Sequence, residues 1–382
     1  MTAPWREFRT AAEAPADWWP PLGTVDPRRT RAWALATRWP ADGISYIGRM
    51  PDGPFAAIRR RTRAGGWSRM DAVEVCGGLF RQVEQDPAVV AAARAAGRHQ
   101  LVLAATGYTS PIWESGCDER VLELLAYCRL LTPADTVTAI LHIEDDSPLI
   151  GLLRRAGWST GVTDLYAKVD PIGRNRGEWL ASLPSKRRIA IKRDIRRLEE
   201  GGGVVELLTG RDILPVLRSV TALEAEAERR HNGAANVRML ATVNENLVGC
   251  FGDLMTMVVV RDAASEPVAS CSTLSGGGLV LCRNGGSREP AARELAGYFH
   301  AAYYGPLALG WANGDHGLLL GPGSLDPKLL RGARPQALVS AIPPGAPNVL
   351  RRLLEVTDGV IRSRARSLGW PVSAAPLGEG FG

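Results

Sequence analysis

The chain reads as an α/β protein with mixed sheets, folded as two similar domains in tandem. Three observations predict this. Its 382 residues exceed what one ordinary hydrophobic core spans, short β-rich runs alternate with amphipathic helical runs, and the second half repeats the outline of the first. The repeat is architectural and has no residue-level period. Domains are expected at 1–170 and 171–382, with a cleft between them.

Residues 1 to about 25 are rich in Pro and Trp without periodicity and read as an irregular arm. Ile44 to Met50 and Phe55 to Arg61 are β-rich, with turn signals at Asp52-Gly53 and Gly65-Gly66, and suggest an antiparallel meander. Gln100 to Ala105 reads as a buried strand, Thr106 to Gly116 as a loop, and Asp118 to Leu131 as a helix capped by Asp118. Thr136 to Ile143 is the next strand. Ser147 to Ala156 is a short amphipathic helix stopped by Gly157, and Val162 to Val169 is the last strand of this half.

Asp170-Pro171 and the polar run Gly173 to Gly177 form the expected connection. A helix follows on which Ile191, Ile195 and Leu198 share one apolar arc and the cations spread around the far side. Gly201-Gly202-Gly203 ends it. Val204 to Leu208 is a strand, Ile213 to Arg230 a helix, and Leu254 to Arg261 and Val268 to Leu274 are strands joined by a turn at Asp262 to Pro267. Gly278 to Arg283 is a third strand, followed by a Gly-Gly-Ser loop and a helix from Pro290 through about Tyr304. Gly317 to Leu320 and Gln336 to Ile342 are strands; Ser324 to Leu330 and Asn348 to Leu368 are helices.

No apolar run approaches the roughly 20 residues of a membrane span, and the N-terminal Met-Thr-Ala-Pro-Trp-Arg-Glu lacks a signal peptide's cationic start and apolar core. A cytoplasmic protein is expected. The six cysteines, Cys76, Cys117, Cys128, Cys250, Cys271 and Cys282, form no C-x-x-C pair, and none of the five histidines has a partner at ligand spacing, so reduced buried thiols and no metal are expected. Only four lysines occur, Lys168, Lys186, Lys192 and Lys328, among 46 basic residues. Under such a bias a lysine marks a place where a compact ammonium serves and a planar guanidinium does not.

The charge of the chain is local. Residues 186 to 197 hold seven cations and one acid, and between Arg174 and Arg197 there are nine basic residues against Glu178 and Asp194. The rest of the chain carries 37 basic and 38 acidic residues, so the formal +6 is one patch. A concentrated stripe suits a polyanion such as nucleic acid. The series Glu224, Glu226, Glu228 reads as a solvated helix face.

Three stretches resemble the tandem acyltransferase family of FemA/FemX-type aminoacyl-tRNA-dependent transferases and BioF2-like proteins, each built from two GNAT folds. The first runs from Trp179-Leu180-Ala181-Ser182-Leu183-Pro184 into Lys186-Arg187-Arg188 and Lys192-Arg193-Asp194-Ile195-Arg196-Arg197-Leu198. The second is Arg283-Asn284-Gly285-Gly286, followed by a helix carrying Tyr303 and Tyr304. The third is Asp315-His316-Gly317, followed by Pro327-Lys328 and Arg331-Gly332-Ala333-Arg334-Pro335. Order and spacing match over roughly residues 175 to 342. The first 170 residues match only in outline, through Leu152-Leu153-Arg154-Arg155-Ala156-Gly157-Trp158, and are expected to form a degenerate GNAT-like domain. The turn that holds a CoA pyrophosphate on backbone amides is absent from both halves: Thr106-Gly107-Tyr108-Thr109-Ser110-Pro111 and Asn284-Gly285-Gly286-Ser287-Arg288 stand in its places.

The resemblance implies an N-acyltransferase that passes an amino acid from charged tRNA to the amine of a small acceptor, in specialised metabolism or on a peptidoglycan precursor. It needs no resident cofactor. An acyl-CoA-dependent transferase is the alternative, and a non-catalytic RNA-binding protein the third reading. Such a transfer requires alignment, an uncharged nucleophile and stabilisation of an oxyanion, and no covalent triad is present. Lys328 matches the lysine that the family places near the reacting carbonyl. Asp315 and His316 are a candidate base or orienting pair, equally readable as turn chemistry, and His231 is a further candidate, equally readable as a helix cap. Arg283 is a candidate contact for a carboxylate or phosphate, and Tyr303 and Tyr304 are candidates for substrate binding. Lys186, Arg187, Arg188, Lys192, Arg193, Arg196 and Arg197 are the expected contacts to a tRNA acceptor arm, made to phosphates and so without reading sequence.

Overall fold

The computed structural model describes residues 5–37, 44–49, 54–61, 71–113, 119–133, 135–323, 325–370 and 372. Along the chain run β1 (Arg6–Phe8), α1 (Arg31–Ala36), β2 (Ile44–Gly48), β3 (Phe55–Arg61), α2 (Ala72–Cys76), α3 (Pro87–Ala96) and β4 (Gln100–Leu103). Next come β5 (Ile112–Trp113), α4 (Glu119–Leu130), β6 (Val137–Glu144), α5 (Pro148–Arg155) and β7 (Ser159–Val169). The middle of the chain forms α6 (Arg176–Ser182), α7 (Ser185–Glu200), β8 (Val204–Thr209), α8 (Leu217–Asn232), α9 (Val237–Phe251), β9 (Met255–Arg261), β10 (Pro267–Gly276) and β11 (Leu279–Ser287). Last are α10 (Ala291–Glu294), α11 (Gly297–Phe299), α12 (Gly305–Asn313), β12 (Gly317–Gly321), α13 (Leu325–Leu329), β13 (Arg334–Ile342) and α14 (Asn348–Ser367). The turns expected at Asp52-Gly53 and Gly65-Gly66, the Asp118 cap, Cys117 and the end of the Thr106–Gly116 loop lie outside the described residues.

Two compact units form, and they interleave in sequence. Unit 1 is drawn from residues 1–18, 40–166 and 335–382, and unit 2 from 19–39 and 167–334. The boundary near 170 is therefore one of several, and contiguous halves at 1–170 and 171–382 do not describe the packing. The cause is the C-terminal segment. β13 pairs antiparallel with β6 through Leu338↔Glu144 and Val339↔Ile143. α14 then presents Leu350, Leu353, Leu354 and Ile361, at helical spacing, as its buried stripe. The first three join Val73, Val102, Leu141 and Ile342 in the unit 1 core. The arm expected over residues 1 to about 25 also divides: residues 1–18 belong to unit 1, and 19–39, which go on into α1 capped by the Thr30 side chain, to unit 2.

In unit 1 the strand order is β1-β2-β3-β4-β6-β13, with β5 on β3, and β4 and β6 are parallel. In unit 2 it is β12-β11-β10-β9-β8, with β11 and β12 parallel and the rest antiparallel. Several helices escaped the sequence reading, among them α1, α2, α3, α6 and α9. α2 and α3 start at Asp71 and Asp86, whose carboxylates cap the next amides, and α9 starts at Asn236, which caps Met239. Two expected elements differ. Gly285, Gly286 and Ser287 continue β11 in register with Cys271, Ser270 and Ala269, where a loop was expected. The helix expected from Pro290 is interrupted at Leu295–Ala296, where Ala296 has a left-handed φ of 52°, and resumes through a π-helical turn at His300–Tyr304 into α12. The described cysteines are free, and burial pushes the Cys76 and Cys128 thiols up to about 12.

Candidate active site

The centre of unit 2 is the place where its parallel strands part. β11 and β12 pair only at Leu279↔Gly317, Val280↔Leu318 and Leu281↔Leu319. From Cys282 onward β11 stays with β10. There the ladder jumps from Thr273↔Cys282 to Ser272↔Asn284, so Arg283 is an extra residue in a β-bulge, a device that re-aims a side chain. Arg283 Nη1 donates to Asn244 Oδ1 at 3.2 Å. Asn244 is fully buried on α9, and its Nδ2 donates to Glu224 Oε2 at 2.9 Å and to Thr221 Oγ1 at 3.3 Å.

Glu224 is the residue that the sequence misplaced. Expected on a solvated face, it is 1% exposed, and its Oε1 has no hydrogen-bond partner. Burial raises its carboxyl above the usual range, opposed by the Arg283 charge and the Asn244 bond. Burial likewise lowers the Arg283 guanidinium, opposed by Glu224. Close contact of α8 with β11 brings the group there: a Cβ on Gly286 would collide with the Leu223–Glu224 backbone. The sequence signal was Gly286 itself, a residue with no side chain facing a helix.

Lys328 lies on α13, just past β12, and is buried at 6% exposure. Its Nζ donates to Leu320 O at 2.5 Å and Gly321 O at 3.2 Å, which fixes an ammonium at the carboxyl end of β12 after β11 has left it. Asp315 and His316 sit at the other end of that strand. The Asp315 amide donates to Gly310 O at 2.8 Å and closes α12, while the His316 amide donates to Gly278 O at 2.8 Å ahead of β11. The His316 side chain is exposed, and burial raises the half-buried Asp315 carboxyl. Five residues of strand at about 3.3 Å each separate this pair from Lys328, so the three do not form one constellation. His231 is exposed in the last turn of α8, which Gly233 terminates with φ 75°.

Tyr303 and Tyr304 are not free to meet a substrate. The Tyr303 hydroxyl donates to Arg331 O at 2.7 Å and the Tyr304 hydroxyl to Asp194 Oδ2 at 2.7 Å. Burial pushes both phenols well above their ordinary value. Arg331 Nε and Nη2 donate to the same Asp194 oxygen at 2.9 and 2.6 Å, and the guanidinium lies 3.1 Å over the Phe299 ring. His300 Nε2 meets the Asp194 carbonyl at 3.1 Å. Asp194, the one acid among residues 186–197, is thus the anchor of the basic helix, and both tyrosines belong to that anchor.

α7 has the expected apolar arc, with Ile191 and Leu198 buried, Ile195 half-buried and Asp194 between them. Its seven cations divide. Arg188 Nη1 donates to Leu183 O at 2.5 Å, and Arg197 donates to Glu294 O at 2.9 Å and to Arg293 O, at the end of α10. Arg187 is half-buried. Lys186, Lys192, Arg193 and Arg196 are exposed around Ile189, itself 65% exposed, and form no ion pair with a described residue.

Both candidate phosphate loops are committed in part. In unit 1 the Thr109 hydroxyl and the Ser110 amide donate to Glu144 Oε1 and Oε2 at 3.0 and 3.2 Å, so a carboxylate already occupies them. In unit 2 residues 284–287 are strand, and the following helix, α10, has four residues.

Among solved structures this fold is similar to that of FemX, at 12% identity over 88% of this chain and 96% of that one, with a TM-score of 0.54. The chain therefore has the fold of FemX. L-PGS from Bacillus licheniformis also matches, at 14% identity over 67% of this chain and 82% of that one, with a TM-score of 0.46. So does the C-terminal domain of a putative lysylphosphatidylglycerol synthetase from Agrobacterium fabrum, at 12% identity over 77% and 97% and a TM-score of 0.47. No family model and no curated protein sequence matches the chain. Among the described residues no helix is long and apolar enough to cross a membrane.

Proposed function

We propose that the protein is an aminoacyl-tRNA-dependent N-acyltransferase that forms an amide between the amino acid of a charged tRNA and the amine of a small acceptor. One observation carries the choice of donor. On a FemX-type fold, α7 turns four cations outward that form no ion pair with a described residue, while the Ser110 amide of one candidate phosphate loop is committed to Glu144 and residues 284–287 of the other are strand paired with β10. This supports a phosphate backbone as the donor's landing group over a CoA pyrophosphate held on loop amides. In this reading Lys328 holds positive charge where the ester carbonyl becomes a tetrahedral oxyanion. Arg283, on β11 where it parts from β12, contacts the donor.

Turnover is measured with charged tRNA or acetyl-CoA and a panel of amines, with and without ribonuclease. Ribonuclease-sensitive amide formation is the expected result; ribonuclease-insensitive release of CoA assigns the acyl-CoA activity instead, and no turnover with either donor leaves an RNA-binding protein. Reversing Lys186, Lys192, Arg193 and Arg196 to Glu should abolish tRNA binding, and the wild-type affinity should fall with salt at a log–log slope of roughly −3. Lys328→Met should lower kcat by about a hundredfold with donor affinity kept; an unchanged kcat removes Lys328 from the site.

A further inference from the structure

Unit 1 contains a cavity of about 20 Å3 at the matching place in its own sheet. β4 and β6 pair only from Gln100↔Val137 to Leu103↔Ile140 and then part. Next to the opening, β6 bulges against β13: Val339↔Ile143 is followed by Ala341↔Ile140, which leaves Leu141 and His142 opposite one residue. The cavity is lined by Glu74, Arg81, Tyr108, His142 and Asp164 among others.

Two observations mark it as a built site. The first is backbone strain. Gln82, Tyr108 and His142 have left-handed φ values of 53°, 59° and 62°, three of the five such non-glycine residues among those described. Tyr108 and His142 line the cavity and Gln82 follows Arg81. Strain of this kind persists where the surroundings enforce it, and it gathers at ligand sites. The second is the charge inventory. Arg81 is consumed by Asp164, with Nε and Nη2 on the two carboxylate oxygens at 2.6 and 2.7 Å. Glu74, 5% exposed, receives Arg94 Nε and Nη2 on Oε1 alone, at 3.2 and 2.7 Å. Its Oε2 has no hydrogen bond to a described residue. Beside it the Tyr108 and His142 rings meet edge to face, with centroids 5.0 Å apart.

We infer that this cavity binds an ammonium group. A carboxylate oxygen still lacking a donor and the aromatic rings supply what a small cation needs, and with Arg81 neutralised no free cation is left to hold an anion. The volume admits a head group the size of a water or slightly larger, so the rest of the ligand extends outward past Arg81 and Tyr108, the half-buried members of the lining. The ligand class is a primary amine on a slender chain. This inference is independent of the donor used by unit 2.

The test is calorimetric titration of the full-length protein with n-butylammonium chloride, using n-butanol and sodium butyrate as matched neutral and anionic probes. Saturable binding of the ammonium alone is expected, weakened about tenfold by Glu74→Gln and about threefold by Tyr108→Leu. Circular dichroism establishes that each variant is folded. If Glu74→Gln fails to fold because it loosens Arg94, Tyr108→Leu decides, since it leaves that pair intact. Butyrate binding as tightly as butylammonium, no saturable heat up to roughly 10 mM, or unchanged affinity in a folded variant each overturns the assignment.

Discussion

Asp194 and Glu224 are two buried carboxylates of one unit, 1% exposed each, and their surroundings differ in one respect. Asp194 receives Arg331 twice and the Tyr304 hydroxyl on one oxygen, and its backbone carbonyl meets His300. Glu224 receives Asn244 on Oε2, and Oε1 receives nothing. A buried charge whose needs are met is architecture, and Asp194 holds the cationic helix in place. A buried charge left partly unmet keeps capacity for a further partner. Glu224 is joined through Asn244 to Arg283, where β11 and β12 part.

Breaking the satisfied carboxylate has the largest expected effect. Asp194→Ala leaves the Arg331 guanidinium buried without a counter-charge and should cost about 3–5 kcal/mol in urea unfolding. Removing both partners together, as Asp194→Leu with Arg331→Met, should recover most of that, because no uncompensated charge remains. A loss below about 1 kcal/mol for Asp194→Ala would place the pair among ordinary surface bridges.

These two carboxylates also show what the sequence could and could not reveal. Position 194 lies three residues beyond Ile191 and four before Leu198, so the wheel already set an acid inside the apolar arc of α7; its partner Arg331, 137 residues away, was out of reach of any local pattern. Glu224 sits in an alternating acidic series that fits a solvated face. Only tertiary contact, α8 lying on a strand through Gly286, buries it. The same limit explains Tyr303 and Tyr304, whose hydroxyl partners Arg331 and Asp194 lie far off in sequence, and the grouping of Asp315 and His316 with Lys328, neighbours in sequence at opposite ends of β12. Strands, and helices with strong stops such as α5 and α7, were legible because Gly157 and Gly201 mark their ends. The seating of β13 and α14 in unit 1 was not, since long-range pairing leaves no local mark.

The unsatisfied carboxylate should reveal itself through pH. Burial raises the Glu224 pKa above its ordinary 4.5 in the folded state. The folded protein therefore binds this proton more tightly than the unfolded chain does. The stabilising contribution is complete below pH 4.5 and is lost as pH rises through the raised folded value. Glu224→Gln should remove that component, so that the difference in urea midpoint between variant and wild type changes steadily from pH 4 toward neutrality. A constant difference across that range would mean that Glu224 titrates alike in the folded and unfolded states.

The smallest expected effect separates the two sites most finely. Tyr304→Phe removes one neutral donor from Asp194 Oδ2 while Arg331 still supplies two bonds to it, so the oxygen stays satisfied. The loss should be about 1 kcal/mol, the ordinary worth of one hydrogen bond. Asn244→Leu, by contrast, takes from Glu224 its one side-chain donor among the described residues and should cost about 2–3 kcal/mol, close to the penalty for a buried charge left without a bond. Equal losses in the two variants would mean that the Asp194 cluster is as incompletely satisfied as the Glu224 one, and the distinction between anchor and open carboxylate would fall.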